Sequence, residues 1–384
     1  MDSTIVIGAG PAGLAAAAHL RRAGRPAVVL EQGEAVAPQW RARYDRLRLN
    51  SPRWFSTLPG GPAFAGGTFP SRDEVVAYLE AYAAGLDIRF DTKVERLESM
   101  GDGWLVVTSR GSHRAAHVIV AGGYEHRPFM PAWPGRSRYT GEIIHAAGYR
   151  EPSGYVGRDV LVVGPGCTGA EVAFDLVEGG AASVRLAVRT PPNIIVRQAV
   201  GAPLAVFFSR LPSGIGDAVM RFVRRRTIGD LSEFGLPMPE EGVFSRLQRL
   251  GVAPMIVDAE VIEAIRARRI EIVAAVEAFD EAGVVLADGS RVEPDAVIAA
   301  TGYRPGLEPL VGHLGVLDDH GAPRVTDGEA LPGLRFVGYD PRPAQLRHGG
   351  REAAKAAKAI ARGPRSELVV GVLARPAAGG GGGH

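Results

Sequence analysis

Two glycine-rich turns constrain this chain more than any other feature: Gly8-Ala9-Gly10-Pro11-Ala12-Gly13 and Gly164-Pro165-Gly166-Cys167-Thr168-Gly169. Each follows an apolar run (Thr4 to Ile7; Val160 to Val163) and opens a run of helix-forming composition (Leu14 to His19; Ala170 to Leu176). In that setting the first glycine permits a tight turn, the second lets the backbone approach a pyrophosphate, and the third lets helix and strand pack closely. The helix N-terminus adds unpaired N–H groups and the positive end of its dipole. One such motif is a weak signal. Two, each between strand and helix, predict two bound dinucleotides and electron transfer between them.

The strand ends tell the two units apart. In the first, Gly24 is a helix-terminating glycine and Pro26 to Leu30 reads as the second strand. Glu31 then stands where an acid accepts hydrogen bonds from ribose hydroxyls. The alternative for Glu31 is a solvated turn carboxylate. In the second unit the strand Ser183 to Val188 ends in Arg189-Thr190, with no acid. An arginine there pairs with a ribose 2′-phosphate, and a hydroxyl supports it. The alternative is a surface arginine with no ligand. We therefore expect FAD at the first turn and NADPH, rather than NADH, at the second.

Composition removes other classes. A chain of 384 residues accommodates two or three domains. A net charge of +2 gives no argument for nucleic acid, and Arg224-Arg225-Arg226 reads as a solvated helix face. Cys167 is the one cysteine, so no intrachain disulfide forms and a disulfide-reductase mechanism lacks its thiol pair. A lone cysteine fits a reducing compartment, and a cytoplasmic protein is expected. Cys167 reads as a small filler near the helix N-terminus; a reactive thiol is the other option there. The first strand starts by Thr4, which leaves no room for a signal peptide. The most apolar region, Ile194 to Val223, is broken by Arg197, Arg210, Asp217, Arg221, Pro203 and Pro212. It reads as helical pieces packed on a core or lining a pocket, not as a membrane span. No metal-ligand spacing stands out.

Strands and helices alternate from residue 4, as in a doubly wound α/β fold. Residues 52–70, rich in Gly and Pro, read as a loop. Arg72 to Ala84 reads as a helix, with Ser71 and Glu74 placed for a capping box. Strand-like stretches follow at Ile88 to Phe90, Trp104 to Thr108 and Ala116 to Val120, the last leading into Ala121-Gly122-Gly123. After the second unit ends at Val297 to Ala300, a strand at Leu334 to Gly338 and a helix from Gly349 to Arg362 return to the first. The expected fold is two Rossmann-like dinucleotide-binding domains. Residues 1–154 and 300–365 form a discontinuous FAD domain, 155–299 an inserted NADPH domain, and 366–384 a flexible tail.

With these residues placed, the chain resembles the class B flavin-dependent monooxygenases over nearly all of residues 1–365, and among them the YUCCA-like enzymes of plants. Tyr139-Thr140-Gly141-Glu142-Ile143-Ile144-His145-Ala146-Ala147-Gly148-Tyr149 is similar to the family fingerprint Phe-x-Gly-x-x-x-His-x-x-x-Tyr, with Tyr139 for Phe. Tyr44 to Arg53 looks like the segment that passes the flavin, and Thr227 to Leu236 and Ile262 to Val273 resemble the YUCCA middle region. Ala300-Thr301-Gly302-Tyr303 matches the family hinge, whereas the earlier hinge reads Ala121-Gly122-Gly123 instead of Ala-Thr-Gly.

The resemblance implies hydride transfer from NADPH to FAD, addition of dioxygen at flavin C4a to give a (hydro)peroxyflavin, and retention of NADP⁺ as a shield. It implies that Asn50 is the catalytic side chain, holding the nicotinamide or the oxygen adduct by hydrogen bonds. It places Trp40, Gln345 and Leu346 by the flavin, and His145, Thr301 and Gly302 on the cofactor side of the hinge. His145 has two readings, an interdomain structural residue and a catalytic one. The helix begun by Gly349-Gly350 would aim its dipole at the flavin. The partners implied are a small-molecule substrate and dioxygen, with no nucleic acid; a homodimer stays open. Oxidative decarboxylation of an aryl 2-oxo acid is the substrate chemistry suggested, with Phe207, Phe208 and Phe222 as stacking or core residues. N- or S-oxidation, Baeyer–Villiger oxidation, an uncoupled NADPH oxidase or flavin reductase, and a redox-sensing flavoprotein are the alternatives.

Overall fold

The structure is a computed structural model that describes residues 4–197, 212–250, 255–342 and 344–363, with the backbone of 372–373. Phe207, Phe208, Pro203, Arg210 and most of the glycine-rich tail lie outside the described residues.

Two parallel sheets carry the molecule. The first runs in the order Glu329–Leu331, Leu334–Phe336, His117–Val120, Thr4–Ile7, Ala27–Leu30, Asp87–Arg89. All neighbours are parallel except the outer pair Glu329–Leu331 and Leu334–Phe336. The second sheet is wholly parallel: Glu271–Ala274, Ser183–Val188, Asp159–Val163, Ala296–Ala299, Glu142–His145. Their central strands are mostly apolar because both faces are covered, as parallel sheets require. Helix Pro11–Arg22 packs on the first sheet with the C-terminal helix Gln345–Arg362, and Cys167–Glu178 packs on the second.

Glycine turns make the close packing possible. Gly8 and Gly164 have φ of 103° and 112°, a region that L side chains rarely adopt. A Cβ on Gly13 would overlap the carbonyl oxygen of Gly8, and one on Gly169 would overlap that of Gly164. By contrast, nothing lies within 4 Å of a Cβ built on Gly10. Helix Arg72–Ala83 starts with the anticipated capping box, Ser71 Oγ accepting from Glu74 N–H and Glu74 accepting from Ser71 N–H.

Four expectations change. Glu142–His145 pairs with Ala296–Ala299, so the boundary between the two sheets falls before Glu142 and not near residue 155. The C-terminal helix begins at Gln345, preceded by Ala344 at φ 58°; Gly349 and Gly350 therefore lie inside it. Their role is contact: a Cβ on Gly350 would stand 2.7 Å from Pro59 Cδ. Val372–Leu373, assigned to the flexible tail, instead adds a strand to Gly111–Ala115 at the edge of the antiparallel sheet that also holds Gly103–Thr108 and Val94–Met100. The apolar, β-branched run around Val372 supplies what an open sheet edge pairs with. Lastly, Ile194 belongs to the short strand Asn193–Ile194, paired with Met255–Ile256, and not to a helix.

Gly13→Ala should therefore cost several kcal/mol, in the range of severe core substitutions. Gly10→Ala should stay within about 1 kcal/mol of the parent chain. Urea unfolding followed by circular dichroism separates the two, and equal losses would show that crowding is not what Gly13 relieves.

Candidate nucleotide crevice and active site

Both fingerprint helices begin at a glycine, Gly10 or Gly166, with no side-chain cap. Their first-turn N–H groups have no helix carbonyl to meet and are left for an external acceptor. Pro11 opens the first helix, where its missing N–H costs nothing. Ala12 fills the contact with Gly338 and Gly349. The open space at Gly10 fits a pyrophosphate, which needs backbone approach without a Cβ in the way.

Glu31 is not a solvated turn carboxylate. It is 4% exposed, and its two oxygens accept from Ala9 N–H at 2.7 Å and Gly33 N–H at 2.8 Å. It thus ties the first glycine turn to the end of the neighbouring strand. Trp40, in the short helix Pro38–Arg41, packs partly buried against the first core. Leu346 is buried in that core, and Gln345 Oε1 accepts from Arg342 N–H at 2.8 Å.

The family fingerprint reads as architecture. Tyr139 covers Gly141, donates to the Pro294 carbonyl and packs edge-on to Phe279. Tyr149 is buried, and its hydroxyl donates to Asp175 Oδ2 at 2.8 Å. His145 closes the hinge. Its Nδ1 accepts from Ala147 N–H at 3.0 Å, which leaves Nε2 to carry the proton and donate to the Gly302 carbonyl at 3.0 Å. Burial holds its pKa below the usual histidine value, so the neutral tautomer with both nitrogens engaged is favoured. The same Gly302 carbonyl accepts from Phe129 N–H, and Thr301 Oγ1 donates back to the Phe129 carbonyl at 2.5 Å. Thus the two chain crossings between sheets, around 121–129 and 300–304, are bonded to one another. At the altered first crossing, a Cβ on Gly122 would meet the buried Tyr339 hydroxyl at 3.3 Å. A side chain at that position would crowd the tyrosine.

Arg189 and Thr190 are exposed at the end of Ser183–Val188, and no ion pair to Arg189 occurs among the described residues. Asn50 crosses between the units. Its Nδ2 donates to Cys167 Sγ at 3.3 Å, in the second glycine turn, and its Oδ1 accepts from Arg197 Nη2 at 2.9 Å. Thr168 and Gly166 flank that turn, so the structure brings Asn50 to the second nucleotide motif.

Behind Asn50 lies a buried polar cluster that motif reading missed. Arg197 Nη2 donates to Glu171 Oε1 at 3.0 Å, and Nη1 reaches Asp258 Oδ1 at 3.1 Å. Tyr44 donates to Glu171 Oε2 at 2.7 Å. Desolvation, with the Asp258 charge adding to it, pushes Glu171 up to about 7. Burial pushes the Cys167 thiol up to about 12, with the Glu171 charge second, so the reactive-thiol option is overturned despite the helix N-terminus. One signal was readable: Glu171 interrupts an otherwise apolar helix face, Ala170 to Ala173, two residues past the third glycine. Two other expectations also change. Phe222 is 59% exposed beneath the Arg226 guanidinium and is not a core residue, and Arg224 is buried while Arg225 and Arg226 are exposed.

The comparisons with known proteins agree with this geometry. Residues 5–198 match the family described as pyridine nucleotide-disulphide oxidoreductase. Indole-3-pyruvate monooxygenase YUCCA1 of Oryza sativa subsp. japonica is 35% identical, over 80% of this chain and 78% of that protein. YUCCA8 of Oryza sativa subsp. indica is 34% identical, over 94% and 91%. The chain belongs to the class B flavin monooxygenases and resembles the YUCCA enzymes. Among solved structures, a double mutant of the flavin monooxygenase from Stenotrophomonas maltophilia superposes with a TM-score of 0.74 at 26% identity, covering 94% of this chain and 99% of that one. The OTEMO complex with FAD and NADP shares the fold, with a TM-score of 0.71 at 17% identity, covering 94% of this chain and 83% of that one. The protein is thus a flavin monooxygenase, an oxidoreductase. No helix among the described residues is long and apolar enough to cross a membrane.

Glu171 gives a test of the cluster by itself. Its folded pKa lies above that of an unfolded glutamate, so the folded chain holds the extra proton, and that stabilisation is lost as pH rises from about 4.5 through about 7. Glu171→Gln carries no such titration. Melting temperatures of the two chains should be alike near pH 4.5, and the parent chain should fall relative to the variant as pH climbs to 8. A constant gap across that range would show that Glu171 stays charged throughout.

Proposed function

We propose that FAD lies along the first glycine turn and Glu31, that NADPH lies along the second with its 2′-phosphate on Arg189 and Thr190, and that Asn50 stands where the two meet. The observation that carries this reading is the pair of bonds from Asn50 to Cys167 and Arg197, which joins the flavin-side segment to the second glycine turn. When bound, FAD accepts hydride from NADPH and activates dioxygen. The chain's own residues do the rest. Gly8, Gly10 and Gly13 shape the pyrophosphate cradle, and Gly164, Gly166 and Gly169 repeat it. Thr168 and Cys167 line the second helix start. Trp40, Gln345 and Leu346 wall the flavin side. His145, Thr301 and Gly302 hold the hinge between the cofactors.

The substrate we infer is an aryl 2-oxo acid, cleaved oxidatively to an acid one carbon shorter. The chain's similarity to indole-3-pyruvate monooxygenases supports this reading.

Two measurements check these assignments. Arg189→Ala should weaken NADPH by roughly ten- to a hundredfold, the worth of a charge-assisted bidentate contact, and barely change NADH. Equal losses for both would place the 2′-phosphate elsewhere. With indole-3-pyruvate or phenylpyruvate, carbon dioxide release should match NADPH use. Turnover of amines or sulfides instead would move the enzyme to N- or S-oxidation, and peroxide formation alone would make it an NADPH oxidase.

A further inference from the structure

We infer that Arg197, clamped between Glu171 and Asp258, is a positioning residue that fixes which end of the Asn50 amide faces the nucleotide crevice. This rests on the place given to Asn50 above. An amide side chain can be turned end for end at little steric cost, and only its partners decide the orientation. Arg197 has donors and no acceptor, so its contact at 2.9 Å must be made to Oδ1. The NH₂ end is thereby turned toward Cys167, with one N–H on Sγ and the second left to donate into the crevice. Without Arg197, either end serves equally well.

The guanidinium is itself held. It is 7% exposed, spans Glu171 Oε1 and Asp258 Oδ1, and lies 5.7 Å from the Phe69 ring centroid. Its rigid fork suits three acceptors at once, where a lysine would reach them singly. Two carboxylates face one guanidinium in a buried setting, so they compete for ionisation. Desolvation and, after it, the Asp258 charge raise Glu171; Arg197 and the Tyr44 hydroxyl lower it. Asp258 is also raised by burial and by Glu260, and lowered by Arg197 and Arg46.

Cys167 is the chain's one cysteine, which makes its alkylation by iodoacetamide in the cofactor-free protein a report on this cluster alone. Glu171 raises the thiol pKa, and Arg197 and the Asn50 amide lower it. Glu171→Gln should then speed alkylation several-fold and Arg197→Met should slow it several-fold, with circular dichroism unchanged. Arg197→Lys keeps the charge and should alkylate close to the parent rate. Faster alkylation in both Glu171→Gln and Arg197→Met would show mere loosening and overturn the clamp, as would no change in either.

The FAD-loaded enzyme gives the second reading, the fraction of NADPH consumed that appears as hydrogen peroxide. Arg197→Met and Arg197→Lys should raise it several-fold, and neither should raise it further once Asn50→Ala is present. Additive effects would overturn the clamp. If Asn50→Ala raises peroxide and the Arg197 variants do not, the clamp alone fails. If Asn50→Ala leaves peroxide unchanged, the place given to Asn50 fails, and the clamp loses its function with it.

Discussion

The backbone of Gly8 occupies the volume that a side chain at position 13 would need, and the backbone of Gly164 does the same to position 169. This close approach of helix to strand sets the rest of the molecule. Each helix can start only a few ångströms beyond its strand, so its N-terminal amides open directly over the sheet's carboxyl edge, where ligands of open α/β sheets bind. Neither start is capped by a side chain, although helix Arg72–Ala83 in the same chain has both halves of a capping box. The two helix ends are left open at the turns along which the dinucleotides are proposed to lie.

Two such cradles need a fixed relation if hydride is to pass between their cofactors, and the hinge supplies it. The Gly302 carbonyl takes hydrogen bonds from Phe129 N–H and His145 Nε2, which ties both chain crossings to the edge strand Glu142–His145. Arg43 adds a bond to the Tyr303 hydroxyl at 2.6 Å, and the Arg150 side chain reaches the carbonyls of Arg41 and Arg43. Tyr44, just after, is buried in the core of the second unit. The flavin-side segment is therefore docked on the nucleotide domain that follows it in sequence, which brings Asn50 to Cys167.

What the sequence made legible follows from how local each cause is. Glycine turns, the capping box of Ser71 and Glu74, and the ends of central strands are decided within a few residues, and they appear where the composition places them. Gly349 and Gly350 misled because glycine reads as a helix boundary, whereas here Gly350 is demanded inside the helix by a close neighbour, the Leu58-Pro59 segment. Edge strand Glu142–His145 was placed with the wrong unit because parallel pairing is settled by a partner some 150 residues away, not by its own pattern. Cys167 looked open to activation by a helix N-terminus, but desolvation and the Glu171 charge outweigh that dipole. The cluster of Tyr44, Glu171, Arg197 and Asp258 joins four distant stretches, and no single stretch carries its signature beyond one acid on an apolar helix face.

That cluster is a poor source of stability. Removing two carboxylates and a guanidinium from water costs several kcal/mol per ion, and their mutual attraction seldom does more than offset it. A well-packed apolar replacement would hold the interface at least as firmly. An apolar group, however, could not tell the oxygen of the Asn50 amide from its nitrogen. Arg197 can, and the carboxylates are what keep Arg197 buried and aimed. The placement of charge one hydrogen bond behind Asn50, and not elsewhere in an otherwise apolar second core, is best understood as the cost of giving that amide a direction.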